Sequence, residues 1–146
     1  MPVGQRNNPF PSYNFAVEIE GLVSASFSEV SGLGLEIEVN EYREGGQNEF
    51  IHKRAGSTKY PNLILKRGAI GSLTWYNWWN DARNANPAVA RAVVVQLLNE
   101  DRSGTVLRWT FLRAQPINYQ YSALNALVSE TLIESLELTF ERMEME

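Results

Sequence analysis

The sequence predicts a mainly β protein, an antiparallel β-sandwich or barrel with one flanking α-helix. Three observations carry that expectation. Short runs of alternating apolar and polar residues recur along the chain, turn residues separate them, and only one segment spaces its large apolar residues as a helix does. In YNFAVEIEG, Phe15, Val17 and Ile19 alternate with Asn14, Glu18 and Glu20 before a glycine turn, the pattern of a half-buried strand. LVSASFSEV opens on Leu22 and Val23 and closes on Phe27 and Val30. Its place just beyond Gly21 predicts a hairpin with the first strand. LEIEVNEY puts Leu35, Ile37 and Val39 on one face and Glu36, Glu38 and Asn40 on the other.

Residues 41–62, EYREGGQNEFIHKRAGSTKYPN, break the pattern. They hold three glycines, mixed charge and little apolar character beyond Phe50 and Ile51. They read as a long irregular loop before strand character resumes in NLILKRG, far longer than the usual hairpin connection. SLTWYNWWNDARNANP is the expected helix, with Ser72 as N-cap and Trp75, Trp78 or Trp79, and Ala82 on one face. Asn84, Asn86 and Pro87 stop it. Such an aromatic stripe is expected to pack on a sheet. ARAVVVQLL reads as a central strand buried on both faces, and TVLRWTFLRAQP as its returning partner. INYQY reads as a short edge strand and SALNALVSE as a loop or helical turn. In TLIESLELTFERME, Leu136, Leu138 and Phe140 point inward, with Ser135, Glu137, Thr139 and Glu141 outward. The sum is seven or eight strands and one helix, with no internal repeat.

The 146 residues suit one domain, 1–146. No apolar run approaches the ~20 residues of a membrane span, so no membrane insertion is expected. The opening MPVGQRNNPFPSYNF has no signal-peptide core, so the expected place of folding is a cytosol. The chain has no cysteine, which excludes disulfides and thiolate chemistry. Its net charge of −4 gives it no overall attraction for nucleic acid. That charge is segregated: residues 41–67 carry six cations against three glutamates, whereas residues 129–146 carry six glutamates against one arginine. Complementary patches of this kind fit association between copies.

No catalytic, metal or cofactor set can be assembled from these residues. The single histidine, His52, lies in the irregular stretch without a named partner acid, and one histidine without cysteine makes a poor zinc site. Gly45-Gly46 lacks the strand–loop–helix order and the Gly-Lys-Ser/Thr of a phosphate cradle. The glutamates Glu36, Glu38, Glu137 and Glu141 fall on the solvent side of alternating strands, where unpaired carboxylates normally sit. A strongly acidic strand face is kept where water stays in contact with it.

Residues 27–68, FSEVSGLGLEIEVNEYREGGQNEFIHKRAGSTKYPNLILKRG, resemble the tail-tube proteins of contractile phage tails and of phage-tail-like extracellular contractile injection systems. The likeness extends to VEIEG, the tryptophan-rich helix, LLNEDRSGTVLRWTF, the proline of AQPINY and the ETLIESLELTFE ending, so it covers nearly the whole chain. It implies a tail-tube fold whose copies form hexameric rings, with strands from each copy joined into a continuous channel-lining β-barrel. The rings would stack into a hollow conduit inside a contractile sheath, and the long loop would reach the neighbouring ring.

On that basis Glu36, Glu38, Ser135, Glu137, Thr139 and Glu141 are expected to line the channel. Arg43, Glu44, Phe50, Lys53, Arg54 and Lys59 are expected to make contacts between rings. The implied partners are the protein itself, a sheath protein, baseplate, spike and tube-terminator proteins, and cargo of protein or DNA in the lumen, with no specific nucleic-acid binding. Assembly is expected in a bacterial cytoplasm, followed by residence in a virion tail or released particle. A secreted ring protein of the type VI kind, or a monomeric ligand-binding β-barrel using the tryptophans, are the alternatives. No enzymatic activity is expected.

Overall fold

The computed structural model describes residues 9–22, 27–42, 45, 51–86 and 89–146. In chain order the strands are β1 (Phe15–Ile19), β2 (Glu29–Ser31), β3 (Glu36–Tyr42), β4 (His52–Lys59) and β5 (Leu63–Gly68). Helix α1 (Thr74–Arg83) follows, then β6 (Arg91–Leu98), β7 (Thr105–Tyr121), β8 (Ile133–Thr139) and β9 (Arg142–Met145). Seven strands hydrogen-bond along the antiparallel path β1-β6-β7-β8-β5-β2, with β9 also on β7, while among the described residues β3 and β4 pair only with each other.

The long strand β7 turns this path into two facing layers. Residues 105–114 pair with β6, and residues 109–112 also pair with β9 on the other side. Residues 115–121 pair with β8 alone. The strand bends between these halves at Arg113, a non-glycine residue with φ of 55°, where the β6 register slips between Arg91 and Val93. Bulges bend strands in this way. One layer is therefore β1-β6-β7-β9 and the other β7-β8-β5-β2.

Alternation delivers the core between them. Val17 and Ile19, Val93 and Val95, Phe111 and Met143 come from the first layer; Leu63, Leu65, Leu136 and Leu138 come from the second. Helix α1 adds Trp75 and Trp78, both fully buried, and packs against β7. The Trp78 indole N–H donates to the Val89 carbonyl at 2.6 Å, so the one polar atom of that side chain is satisfied inside. Removing a side chain such as Leu65 or Leu138 from water contributes about 1.5–3 kcal/mol.

Several sequence expectations need correction. β1 does not form a hairpin with the strand after it; β1 pairs with β6 and β2 with β5. The turn beyond β1 is tied to β6 instead. Arg91 donates to the Glu20 carbonyl at 2.7 Å, and the Glu20 carboxylate accepts from the Ala92 N–H at 3.0 Å. β6 buries only one face, Val93, Val95 and Leu97, because only one layer lies against it. INYQY is not a separate strand but the end of β7, which runs through Pro116 where the β8 register shifts. Leu73, not Ser72, is the N-cap, although the Ser72 hydroxyl accepts the Thr74 N–H at 3.3 Å. The strands number nine among the described residues. Val23 and Pro87 lie outside them.

Candidate functional site: an open-edged layer and a projecting hairpin

Within the stretch expected to be an irregular loop, His52–Lys59 form β4, paired with β3 so that Tyr42 faces His52 and Glu36 faces Lys59. Nothing in HKRAGSTK alternates because both its faces lie open, and backbone pairing alone makes it a strand. Gly56 sits at the register slip, where a Cβ would stand 2.8 Å from Asn40 Nδ2 and 3.1 Å from the Glu38 carbonyl. A larger residue there would have to displace the Asn40 side chain and crowd that carbonyl.

This hairpin prolongs the second layer. Ser31 stands opposite Ile64 and Glu36 opposite Lys59, so the same register resumes five residues further along both strands. At the break Gly32, with φ of 92°, lies against the Asn62 carbonyl. The seven residues of β3 then carry the edge roughly 20 Å beyond the packed layer, at ~3.3 Å per residue.

The two faces of the hairpin differ. Glu36, Glu38, Asn40 and Tyr42 share one face with Lys59, Arg54 and His52. There Lys59 lies 3.8 Å from Glu38, the Arg54 guanidinium stands 5.3 Å over the Tyr42 ring, and Tyr42 stacks on His52 at 5.0 Å. Ile37, Val39 and Glu41 share the other face with Thr58, Ala55 and Lys53. The acidic face of β3 is thus compensated by the strand beside it, which its own alternation does not reveal.

The residues expected to line a channel fall into three places. Glu36 and Glu38 are on the hairpin; Ser135, Glu137 and Thr139 are on the outward face of β8. Glu141 lies between β8 and β9. The subunit alone does not join the first two sets, since β3 and β8 belong to different sheets. Nor are all these carboxylates unpaired: Glu137 accepts from the Asn62 side chain at 3.0 Å, and Glu141 pairs with Arg113 at 3.1 Å. Of the expected ring-to-ring residues, Lys59 and Arg54 share the carboxylate face and Lys53 takes the opposite one. Arg43, Glu44 and Phe50 lie outside the described residues.

Among the described residues, the second layer is open at both edges. β2 ends the strand path, and residues 115–121 of β7 have β8 on one side and no strand among the described residues on the other. Such edges present unpaired N–H and C=O groups.

Behind this layer lies a buried polar cluster that the sequence reading passed over. Arg67 and Glu134 are direct cross-strand partners on β5 and β8 and form a buried ion pair. The Arg67 guanidinium stands 4.0 Å over the Trp75 ring. The Tyr119 hydroxyl donates to Glu134 at 2.6 Å and lies 2.6 Å from the Tyr121 hydroxyl. Burial, and then the carboxylate beside it, push the Tyr119 phenol well above the usual tyrosine range. The signal was available: residues 63, 65 and 67, like 134, 136 and 138, fall on the inward face of their strands.

A hollow of about 580 Å³ is lined by Phe15, Phe27, Leu33, Val95 and Trp109, without Trp75, Trp78 or Trp79.

This fold recurs in solved structures of contractile injection particles. A chain of the cryo-EM structure of the anti-feeding prophage (AFP) baseplate superposes with a TM-score of 0.85, at 29% identity over 97% of each chain. A chain of the PVC sheath–tube complex, an extracellular contractile injection system in its extended state, gives 0.84 at 23% identity, over 96% of this chain and 93% of that one. Hcp1 from Flavobacterium johnsoniae shares the fold more distantly, with a TM-score of 0.59 and 13% identity over 91% and 94%. No curated protein sequence matches significantly. The family model described as T4-like virus tail tube protein gp19 matches residues 11–144, and the chain belongs to that family.

Proposed function

We propose that the chain is a structural subunit of the inner tube of a contractile, phage-tail-like injection particle, without enzymatic activity. One observation carries the reading: the second layer, β7-β8-β5-β2, is open at both edges and lengthened at one of them by β3. Pairing residues 115–121 of one copy with the β2–β3 edge of the next satisfies both edges at once. Repetition closes a hexameric ring whose layers form a continuous barrel. In that ring the outward face of β8, with Ser135, Glu137 and Thr139, lines a water-filled channel together with Glu36 and Glu38, with Glu141 at its rim. Lys59 and Arg54 moderate that acidic wall. A hydrophilic wall offers cargo few apolar patches to adhere to.

Stacked rings make the conduit, with Lys53 of the hairpin meeting the next ring; Arg43, Glu44 and Phe50, expected at the same contact, lie outside the described residues. A sheath protein, a baseplate with its spike, and a terminator are the partners this reading requires. Assembly takes place in the bacterial cytoplasm, and the tube ends in a virion tail or a released particle. The type VI-like alternative rests on a distant likeness of fold alone. Negative-stain electron microscopy of the purified protein tests the proposal. Rings or hollow tubes with a central bore are expected; a protein that remains monomeric at high concentration overturns it.

A further inference from the structure

The projecting hairpin carries an apolar face that the described residues leave exposed. Leu35, Ile37 and Val39 are 60%, 54% and 59% exposed. The loop 122–132, joining β7 to β8, carries a second such surface, with Leu124 and Leu127 86% and 94% exposed and Val128 beside them. The Ala69 N–H donates to the Leu132 carbonyl at 2.8 Å, bringing the exposed Ile70 toward the same region.

Register places these surfaces at opposite ends of one layer. β5 begins at Leu63 beside Leu138, where the hairpin departs, and finishes at Gly68 beside Ile133, where the loop begins. The whole of β5 separates them, so a chain cannot bring its own two surfaces together.

We propose that loop 122–132, anchored by Leu124 and Leu127, receives the apolar face of β3 from a second copy of this chain in the adjacent ring. This rests on the tube reading and names the stacking surface within it. A contact between unlike ends uses both surfaces of every copy and never closes, as an extending stack requires. A contact between like ends would leave the other surface bare in each pair. The margins are opposite in charge: Lys53 lies on the same hairpin face as Ile37 and Val39, and the loop carries the exposed Glu130. The junction then has an apolar centre and a charged rim, not an ionic contact throughout.

The chain has no cysteine, so Ile37→Cys combined with Leu127→Cys supplies the only two thiols. Assembled protein treated with a short bis-maleimide is run on a denaturing gel. A ladder extending well beyond the size of one ring is expected, since each copy joins one above and one below. A ladder stopping at ring size would mean contact within a ring and would overturn the proposal, as would unlinked subunits in intact tubes. A second variant, Leu124→Ser with Leu127→Ser, is expected to give rings but tubes at least ~10-fold shorter. Tubes of wild-type length overturn the proposal while leaving the tube reading intact. Wild-type protein that forms no rings overturns the tube reading itself.

Discussion

The β5–β8 pair and the β3–β4 hairpin use one kind of sequence, and the hairpin continues the register of the layer that contains β5, yet they end in opposite surroundings. Leu63, Leu65, Leu136 and Leu138 have no exposed surface, whereas all seven residues of β3 are exposed. Each buried leucine contributes about 1.5–3 kcal/mol. Among its described residues the hairpin has backbone pairing, the contacts of Tyr42 with His52 and Arg54, and the exposed Lys59–Glu38 ion pair, worth about 0–1 kcal/mol. A two-stranded hairpin with no such cover is marginal in water. Alternation therefore specifies a strand with two unlike faces and says nothing about which molecule covers the apolar one. In the packed half the cover comes from the same chain; at the hairpin the described residues leave that face exposed.

The largest way to disturb that contrast is at the ion pair behind the packed half. Glu134→Ala leaves Arg67 buried without its carboxylate and is expected to cost about 3–5 kcal/mol in urea unfolding of the isolated subunit. Replacing both partners, with Arg67→Met and Glu134→Leu, should recover most of the loss. A single-variant cost under about 1 kcal/mol would show that the pair does not hold β5 to β8. Next in size comes Leu136→Ala, which opens a cavity in the core and is expected to cost about 2–5 kcal/mol. Ile37→Ala removes the same kind of side chain from the hairpin and should change the isolated subunit's stability by less than about 0.5 kcal/mol. Comparable costs at the two positions would mean that the hairpin is already packed within its own chain, and the contrast would collapse.

How much of this was legible depended on whether an apolar face had cover within the chain. Val17, Ile19, Leu136 and Leu138 were readable because each faces the core in clear alternation. β4 was not, because HKRAGSTK meets solvent on both sides and leaves no period to detect. Strand partners were equally hidden: β1 sits beside β6 and not beside its sequence neighbour, since Arg91 and Ala92 bind Glu20 across that edge. Arg67 and Glu134 occupy inward positions in good alternation, but charge obscures them until their cross-strand pairing is seen. The acidic strand 36–42 was visible as a strand; that Lys59 and Arg54 share its face was not, because the register runs through a bulge at Gly56.

The smallest expected effect is also the sharpest test of what orders the hairpin. Lys59 stands opposite Glu36 and 3.8 Å from Glu38, and both members of that ion pair are more than half exposed. At such exposure water and salt screen the attraction, and fixing two long side chains costs entropy. Lys59→Ala is therefore expected to change the unfolding free energy of the isolated subunit by less than about 0.5 kcal/mol. Backbone amide exchange in β3 and β4 should stay as fast as in the unaltered protein, well above that of β5 and β8. If the substitution instead costs more than about 1 kcal/mol, or speeds exchange in β3 alone, the hairpin is held by its own charges. The neighbouring copy would then have little left to order, and the difference between the two halves would be one of degree.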